Sequence, residues 1–376
     1  MSISRRNFVK SAFASILTFG LPGGNVRSAM ASIKNGNNGQ TPREAYAKYK
    51  DWIFIDALGG LRLGKEGEDE IKRSGLTMIE TTLGAQGDPT FGYEQAVKDL
   101  AMYHGIFDRF EEVLIRVRTT RDILEAKKTG KIALMLGFQN ATHLARDIKN
   151  VDFFYNLGIR QIQLTYNSLN ALGAGCTERK DSGLSDFGVK VVHRMNELGI
   201  LVDLSHCGVK TTLDAIEVSK KTPIFSHTVC RALCDNPRGK WDDQIKKLAA
   251  KGGVMGVATV NFFISKKPRS TLDDYINHIE HVIKLVGIDH VGIGSDSSIG
   301  GWRISFPTEK AFFDFHDQFH FKPGVDLRWP PFIEEIDVPE KMYIIAERLT
   351  QRGYSTPDIK KIMGENFMRV YKEILG

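Results

Sequence analysis

Hydrophobic residues are concentrated in eight short runs, and longer segments with helical spacing separate them. The runs lie at 52–56, 76–81, 132–138, 159–166, 200–206, 223–227, 253–261 and 290–296. Continuous apolar runs of this length are typical of strands in a parallel sheet that is buried on both faces. The intervening segments have helical periodicity, as in Val189, Val192 and Asn196 ahead of Gly199. Eight strand–helix units predict an α/β fold, a single (β/α)8 TIM barrel.

An open, doubly wound sheet is the main alternative to the barrel. It would be favoured by a G-x-G-x-x-G fingerprint after the first strand, but residues 56–60 read DALGG. We find no internal repeat and no block of charge that would mark a domain boundary. The sequence therefore predicts one barrel domain over residues 46–376.

Composition and charge narrow the range of partners. The 376 residues include 51 Lys and Arg, 45 Asp and Glu, and 42% hydrophobic residues, which is ordinary globular composition. Four of the basic residues and none of the acidic ones lie in the first 31 positions, so the remainder carries 47 basic against 45 acidic residues. A body this close to neutral, without a basic run interleaved with aromatics, argues against nucleic-acid binding.

The amino terminus resembles an export signal. SRRNFVK at 4–10 precedes a weakly apolar stretch at 11–21 and the small-residue triplet AMA at 29–31. This order predicts a twin-arginine signal peptide over 1–31 and a periplasmic or exported protein. The apolar stretch is too short to span a bilayer, which takes about 20 residues. Residues 32–45 are polar and rich in Gly and Asn, and predict a flexible mature terminus. The four cysteines permit either disulfides or free thiols.

Polar side chains end or directly follow the predicted strands, where a barrel carries its chemistry. They are Gln139, Tyr166, His206, His227 and Asp296. Two imidazoles and a carboxylate at one rim are suitable ligands for zinc.

A further candidate, Arg238, lies in a Pro/Gly-containing loop beyond the second histidine. Its guanidinium suits a substrate carboxylate. A surface salt bridge is the alternative interpretation of this residue.

Several motifs together resemble the membrane dipeptidase (renal dipeptidase-like) family of metallopeptidases over roughly residues 50–372. They are LMLGFQ at 134–139, GIRQIQLTYN at 158–167, GLSDFG at 183–188, DLSH at 203–206, FSH at 225–227, GSD at 294–296, RGYS at 352–355 and GENFMRV at 364–370. The resemblance implies a (β/α)8 barrel with two zinc ions bridged by a Glu. It also implies that His206 and His227 hold the second zinc, that Asp296 is the catalytic acid/base, and that Arg238 binds the carboxylate of a dipeptide.

The first metal site of that family is not matched. Its His-x-Asp falls on Leu58 and Gly60, its bridging Glu on Gln139, and its substrate-facing His on Tyr166. We therefore expect one zinc ion at most, or none, held by His206, His227 and Asp296, with Gln139 as a weak further ligand. Without the anionic ligands, the charge of a second dication would be left unbalanced.

These features favour a dipeptidase-like metallohydrolase that acts on a dipeptide or a small peptide-like amide. Asp296 would carry a proton, and Tyr166 would donate a hydrogen bond to the developing oxyanion. The alternative is a non-peptidase homologue that binds or matures a peptide natural product, such as a siderophore, in the periplasm. A third hypothesis, with Cys207 or Cys230 at the site, is disfavoured for Cys207, since a residue next to His206 in a strand points to the opposite face.

Two further expectations concern the surroundings of the site. A homodimer is compatible with the sequence. The aromatic and proline-rich segment 300–332 is expected to cover the mouth of the barrel.

Overall fold

The structure is a computed structural model that describes residues 47–84, 92–318 and 326–376. The predicted signal peptide and flexible terminus lie outside these ranges. In the described ranges the strands are Ile55–Asp56 (β1), Gly59–Gly60 (β2), Met78–Thr82 (β3), Leu114–Arg116 (β4), Ile132–Phe138 (β5), Ile159–Gln163 (β6), Leu201–Asp203 (β7), Phe225–Thr228 (β8), Met255–Val257 (β9), Val291–Ile293 (β10) and Ser297–Ser298 (β11).

Every pair formed by these strands is parallel. One sheet has the order β1-β3-β5-β6-β7, with β4 on the edge of β5 that also carries β6. A second sheet has the order β10-β9-β8, and β2 pairs with β11. Each of the eight predicted apolar runs overlaps one strand of the two larger sheets. No predicted run corresponds to β4, which is three residues long, or to the two-residue strands β2 and β11.

Helices separate the strands and cover the outside of the sheets. The α-helices are Lys65–Ser74, Tyr93–Arg109, Thr120–Thr129, Lys149–Asn156, Asp186–Leu198, Val209–Val218, Asp242–Ala250, Asn261–Ile264, Leu272–Val286, Trp302–Ser305, Glu309–Gln318, Lys341–Gln351, Thr356–Lys360 and Asn366–Leu375. Short 3-10 helices lie at Ala141–Leu144, Ile288–His290 and Glu334–Ile336, and a π-helical turn at Lys361–Glu365.

Hydrogen bonds join the two larger sheets along both of their edges. Between β7 and β8, the Leu204 N–H donates to the Ile224 carbonyl at 3.0 Å, and Asp203 pairs with Ile224 in parallel. Between β10 and β1, the Ala57 N–H donates to the Ile293 carbonyl at 3.0 Å. We call these contacts the β7–β8 seam and the β10–β1 seam. The result is a curled, parallel, TIM-barrel-like α/β fold.

The amino ends of the strands are closed by the carboxyl-terminal helix. Phe367, Val370 and Tyr371 of the helix Asn366–Leu375 share a buried cluster with residues at the beginnings of strands. Those strand residues are Ile55, Met78, Ala133, Met135, Leu201, Ile224 and Val254. Burial of this apolar surface stabilises the fold and leaves the opposite, carboxyl ends of the strands for chemistry.

The described parts of segment 300–332 pack at the carboxyl end of the sheets. Phe312 is buried against Phe262 of the helix that follows β9, with ring centroids 6.3 Å apart. Trp302 and Trp329 meet edge to face at 4.2 Å. These contacts agree with the predicted position of the segment near the mouth.

Two further observations bear on the sequence predictions. All four cysteines are free thiols, so the structure favours that alternative over disulfides. In the described ranges, no helix is both long enough and apolar enough to span a membrane.

Candidate functional site

Two histidines meet at the carboxyl ends of β7 and β8. His206 follows β7 by three residues, and His227 lies within β8. Both are buried, with 3% and 0% of their surface exposed, and their Nε2 atoms are 2.9 Å apart. The repeated Ser-His ending of the two strands therefore places both imidazoles in one spot, as the sequence predicted.

A buried carboxylate below the histidines organises the β7–β8 seam. Asp203 accepts four hydrogen bonds from two serines, Ser205 just beyond the end of β7 and Ser226 in β8. The Ser205 N–H and hydroxyl donate to Oδ1 at 3.1 and 2.7 Å. The Ser226 N–H donates to Oδ1 at 3.0 Å, and the Ser226 hydroxyl donates to Oδ2 at 2.5 Å. Asp203 is absent from the predicted site residues, although its spacing in Asp-x-Ser-His carries the signal.

This network fixes the tautomer of each imidazole. Since the Ser226 hydroxyl donates to Asp203, its oxygen accepts from the Nδ1–H of His227 at 2.7 Å. The Nδ1–H of His206 donates to the Asn167 side-chain oxygen at 2.8 Å. Each neutral ring carries one N–H, so both Nε2 atoms present a lone pair. The two lone pairs face each other, which is unfavourable unless a cation lies between or beside them.

Protonation is a poor solution to this conflict. Burial lowers the pKa of both histidines well below the usual 6.5, and the positive charges of Arg238 and Lys240 lower it further. Neutral imidazoles with converging lone pairs are what a divalent transition metal requires. The donor set thus fits a metal ion with His206 and His227 as ligands.

The structure does not supply a third ligand at the same place. Within the described ranges, no group of three or more His, Cys, Asp and Glu side chains is arranged to hold a metal ion. The predicted ligation by Asp296 and the weaker ligation by Gln139 stay predictions. Gln139 is buried and its carbonyl accepts from the Gln163 side chain at 2.5 Å, so the backbone at this position is held firmly.

Asp296 lies beyond the end of β10, in a turn that constrains it. Its φ of 59° is in the left-handed region, which is unusual for a residue other than glycine. Its N–H donates to the Leu58 carbonyl at 2.9 Å. Burial raises the pKa of this carboxyl to about 7, the charge of Asp56 adds to the rise, and Arg238 opposes it. A carboxyl that titrates near neutrality can carry a proton in catalysis.

Arg238 is placed behind the histidines rather than in open solvent. It is 1% exposed, and its two terminal nitrogens donate to the carbonyls of Ser205 at 2.6 Å and His227 at 3.1 Å. Its Nε has no hydrogen-bond partner among the described residues. A buried donor without an acceptor is costly, so this nitrogen is a position at which an anionic ligand group would be stabilised.

Tyr166 stacks on the ring of His206. The ring centroids are 4.1 Å apart with an interplanar angle of 22°. Burial and the charge of Asp296 raise the pKa of the Tyr166 hydroxyl, so it keeps its proton and acts as a donor. The stack also limits the rotation of His206.

Two residues that the motifs align with a first metal site, Leu58 and Gly60, have no ligating atom in their side chains. Leu58 is buried, and Gly59–Gly60 pairs in parallel with Ser297–Ser298. A Cβ atom at Gly60 would lie 3.2 Å from the Ser298 hydroxyl oxygen. The strand is therefore packed closely against its neighbour in the absence of a side chain.

The thiols do not behave as site residues. Burial raises the pKa of Cys207 to about 11 and raises that of Cys230 as well. Cys230 contacts His278, with its N–H donating to Nδ1 at 3.0 Å, and neither partner belongs to the histidine pair. Reactive or ligating thiols need a lowered pKa, so the arrangement disfavours the cysteine hypothesis.

Comparisons with known proteins agree with the motifs. A model of the family described as membrane dipeptidase (peptidase family M19) matches residues 74–304. Dipeptidase verJ of Clonostachys rogersoniana is 30% identical over 285 residues, which are 74% of this chain and 64% of that protein. An uncharacterized dipeptidase of Schizosaccharomyces pombe is 38% identical over 253 residues, 66% of this chain and 54% of that protein. The aligned part of the chain thus spans less than two thirds of either relative.

A solved structure shows the same similarity in three dimensions. An amidohydrolase from Pseudomonas aeruginosa is 32% identical and superimposes with a TM-score of 0.79. The superposition covers 90% of this chain and 100% of that chain.

Proposed function

Because the chain belongs to the membrane dipeptidase family, peptidase family M19, we propose that it is a dipeptidase-like metallohydrolase that uses a single metal ion held by His206 and His227. Dipeptidases of this family depend on zinc, which makes zinc the first candidate. The substrate would be a dipeptide or a small peptide-like amide.

One observation carries the proposal: two buried imidazoles present Nε2 lone pairs 2.9 Å apart, and both tautomers are fixed by hydrogen bonds at Nδ1. Hydrogen-bonded acceptors on the far side of each ring are the usual support of metal-ligating histidines. When bound, zinc supplies Lewis acidity for the scissile carbonyl and for the attacking water.

The remaining roles follow from the surroundings of the pair. The unpartnered Nε of Arg238 would take up a carboxylate oxygen of the substrate, which orients the scissile bond. Asp296, with its pKa of about 7, would receive the proton of the attacking water and deliver it to the leaving amine. The protonated Tyr166 hydroxyl would donate to the developing oxyanion.

The residues aligned with the family's first metal site limit the number of metal ions that the protein can hold. Leu58 and Gly60 carry no ligating atom in their side chains, and Gln139 is neutral. A second dication there would lack the anionic ligands that balance its charge. We therefore propose one ion at most, in a degenerate version of the family's two-metal site.

The proposal extends to the architecture and the compartment. The hydrogen bonds at the β7–β8 and β10–β1 seams support a closed (β/α)8 barrel of eight strands. The twin-arginine pattern at the amino terminus supports export to the periplasm of the folded protein.

Metal analysis tests the central step. We expect about one zinc ion per purified chain by mass spectrometry, and loss of that ion in His206→Ala and His227→Ala. His281→Ala is the matched control, because His281 pairs with Asp242 between two outer helices and should leave the metal content unchanged. Absence of metal from the zinc-treated protein would overturn the proposal.

Turnover separates the two candidate functions. Hydrolysis of Ala-Ala or Gly-X dipeptides that depends on added zinc would support the peptidase. Stoichiometric zinc without hydrolysis, together with an unfinished secreted metabolite in a deletion strain, would favour the maturation of a peptide natural product.

A further inference from the structure

A buried lysine lies at the β10–β1 seam, on the side of the site away from the histidines. Lys341 is the first residue of the helix Lys341–Gln351 and is 1% exposed. Its Nζ donates to the Ser297 hydroxyl at 2.5 Å, to the Ser298 carbonyl at 3.1 Å and, more weakly, to the Ser295 hydroxyl at 3.5 Å. A charged group buried this deeply needs a reason, because its desolvation is costly.

The hydrogen bonds form a directed chain from the ammonium to a carboxylate. Lys341 donates to Ser297, the Ser297 hydroxyl donates to the Ser295 hydroxyl at 3.1 Å, and the Ser295 hydroxyl donates to Asp56 Oδ2 at 2.5 Å. The Ser295 N–H adds a bond to Asp56 Oδ1 at 2.7 Å. Each step of this hydrogen-bond chain therefore has one donor and one acceptor. The chain begins at the ammonium of Lys341 and ends at the carboxylate of Asp56.

The two serines in this chain flank Asp296. The chain fixes the residue before Asp296 and the residue after it, and Asp296 itself has a left-handed φ of 59°. On the other side of the turn, the Asp296 N–H donates to Leu58 and the Ile299 N–H donates to Gly60 at 2.8 Å. Such a conformation is strained for a residue other than glycine and persists only where its surroundings hold it.

The contact between lysine and carboxylate is indirect. In the described ranges, the ion pairs within 4.0 Å do not include Lys341 with Asp56. A direct pair would have been the simpler way to neutralise two buried charges. Instead, the hydroxyls of Ser297 and Ser295 lie between the ammonium and the carboxylate. Because these two serines flank Asp296, the attraction between the charges also holds the turn that carries Asp296.

We propose that Lys341 is a positioning residue that, through Ser297 and Ser295 to Asp56, holds Asp296 in the backbone orientation needed for proton transfer. The catalytic consequence rests on the proposed function, whereas the effect on the turn does not. Lys341 itself touches neither histidine and is not a catalytic residue.

A charge-balanced variant tests the proposal. Lys341→Met and Asp56→Asn each leave one buried charge uncompensated, so both single variants should be less stable. The double variant removes both charges and should regain much of the stability. If Lys341 positions Asp296, the double variant should keep a kcat at least tenfold below that of the unchanged protein, with little change in KM. Recovery of kcat together with stability would show a structural role and overturn the proposal.

Ser297→Ala provides a milder version that leaves both charges in place. It removes the first link of the chain and should lower kcat several-fold at nearly constant stability. An unchanged kcat in this variant and in the double variant would contradict the positioning role.

Amide hydrogen exchange gives a readout that does not need activity. In the double variant, the N–H groups of Asp296 and Ile299 should exchange at least tenfold faster, while the strand Met255–Val257 should be unaffected. Faster exchange in a protein that hydrolyses no dipeptide would support the positioning role and refute the proposed function. Unchanged exchange would refute the positioning role, whatever the activity.

Discussion

The β7–β8 seam and the β10–β1 seam are built in the same way but supply different chemistry. At each seam an aspartate that ends one strand accepts hydrogen bonds from the N–H and hydroxyl of a serine in or just beyond the neighbouring strand: Asp203 from Ser226, and Asp56 from Ser295. Few backbone hydrogen bonds join the parallel strands at either seam. Hydrogen bonds to a carboxylate join them in addition, and these charge-assisted bonds are stronger than hydrogen bonds between neutral groups.

The two seams differ in the group that donates a hydrogen bond to their serine hydroxyls. At the β7–β8 seam the Nδ1–H of His227 donates to Ser226, so the far nitrogen of the ring is left with a lone pair. At the β10–β1 seam the ammonium of Lys341 takes the corresponding place through Ser297. The β7–β8 seam therefore presents imidazole lone pairs that can bind a metal cation, whereas the β10–β1 seam already contains a cation, the ammonium of Lys341.

Removal of the carboxylate from the first seam should produce the largest effect. Asp203→Asn cannot accept all four hydrogen bonds, and its amide would meet hydroxyl hydrogens. We expect the free energy of unfolding to fall by about 3 kcal/mol and zinc affinity to fall about 10- to 100-fold. Denaturant unfolding and isothermal calorimetry measure the two quantities.

The matched variant at the other seam is Asp56→Asn. It should also lose stability, because Lys341 is left uncompensated, but its zinc affinity should stay within about twofold of the original. Equal losses of zinc affinity in both variants would remove the distinction between the seams.

A second prediction concerns the pH dependence of stability near Lys341. Asp337 accepts from the Trp302 N–H at 3.1 Å, and burial raises its pKa from the usual 3.8 to about 6. A carboxyl with a raised folded-state pKa stabilises the fold most below its unfolded-state value, and this contribution is lost as the pH rises through about 6. The free energy of unfolding should therefore decline by about 2 kcal/mol between pH 4 and pH 7 on account of this residue.

Asp337→Asn should make that decline shallower. The control is Asp273→Asn, since Arg348 and Arg352 lower the pKa of that exposed carboxyl and give it a contribution of opposite sign. Unfolding curves at several pH values, recorded with a chelator present, measure both. An unchanged decline in Asp337→Asn would show that the carboxyl is already ionised at pH 4.

The two seams also differ in how far the sequence revealed them. Strands buried on both faces leave continuous apolar runs, so all eight main strands could be located, and the polar residue that ends a run points to the rim. This rule found His206, His227 and Asp296. Asp203 lies within such a run and was read as part of the strand, although its spacing to Ser205 carries the signal.

Nothing in the sequence pattern marks Lys341. It comes from a helix that follows the aromatic segment, and its hydrogen-bond partners Ser295, Ser297 and Ser298 lie beyond the end of β10. Contacts between elements so far apart in the chain depend on tertiary packing. The periodicity of hydrophobic residues along the sequence does not predict such contacts. The same holds for Arg238, because its place in a loop beyond the second histidine does not reveal that it lies behind the histidine backbone.

The smallest predicted effect comes from deletion of one hydroxyl at each seam. Ser226→Ala removes the acceptor of the His227 Nδ1–H, so the ring can adopt the other tautomer and loses its orientation. Zinc affinity should fall about tenfold, or about 1.4 kcal/mol. Ser295→Ala makes the same chemical change beside Asp56, where no imidazole is attached, and should leave zinc affinity within about twofold.

Competition with a chromophoric chelator would measure both affinities under one set of conditions. If Ser226→Ala binds zinc as tightly as the unchanged protein, the Asp203–Ser226–His227 chain does not set the tautomer. Packing alone, including the stack of Tyr166 on His206, would then have to hold the imidazoles in place. In that case the shared Asp–Ser hydrogen bonds of the two seams would serve only to join the strands, because neither Ser226 nor Ser295 would affect zinc affinity.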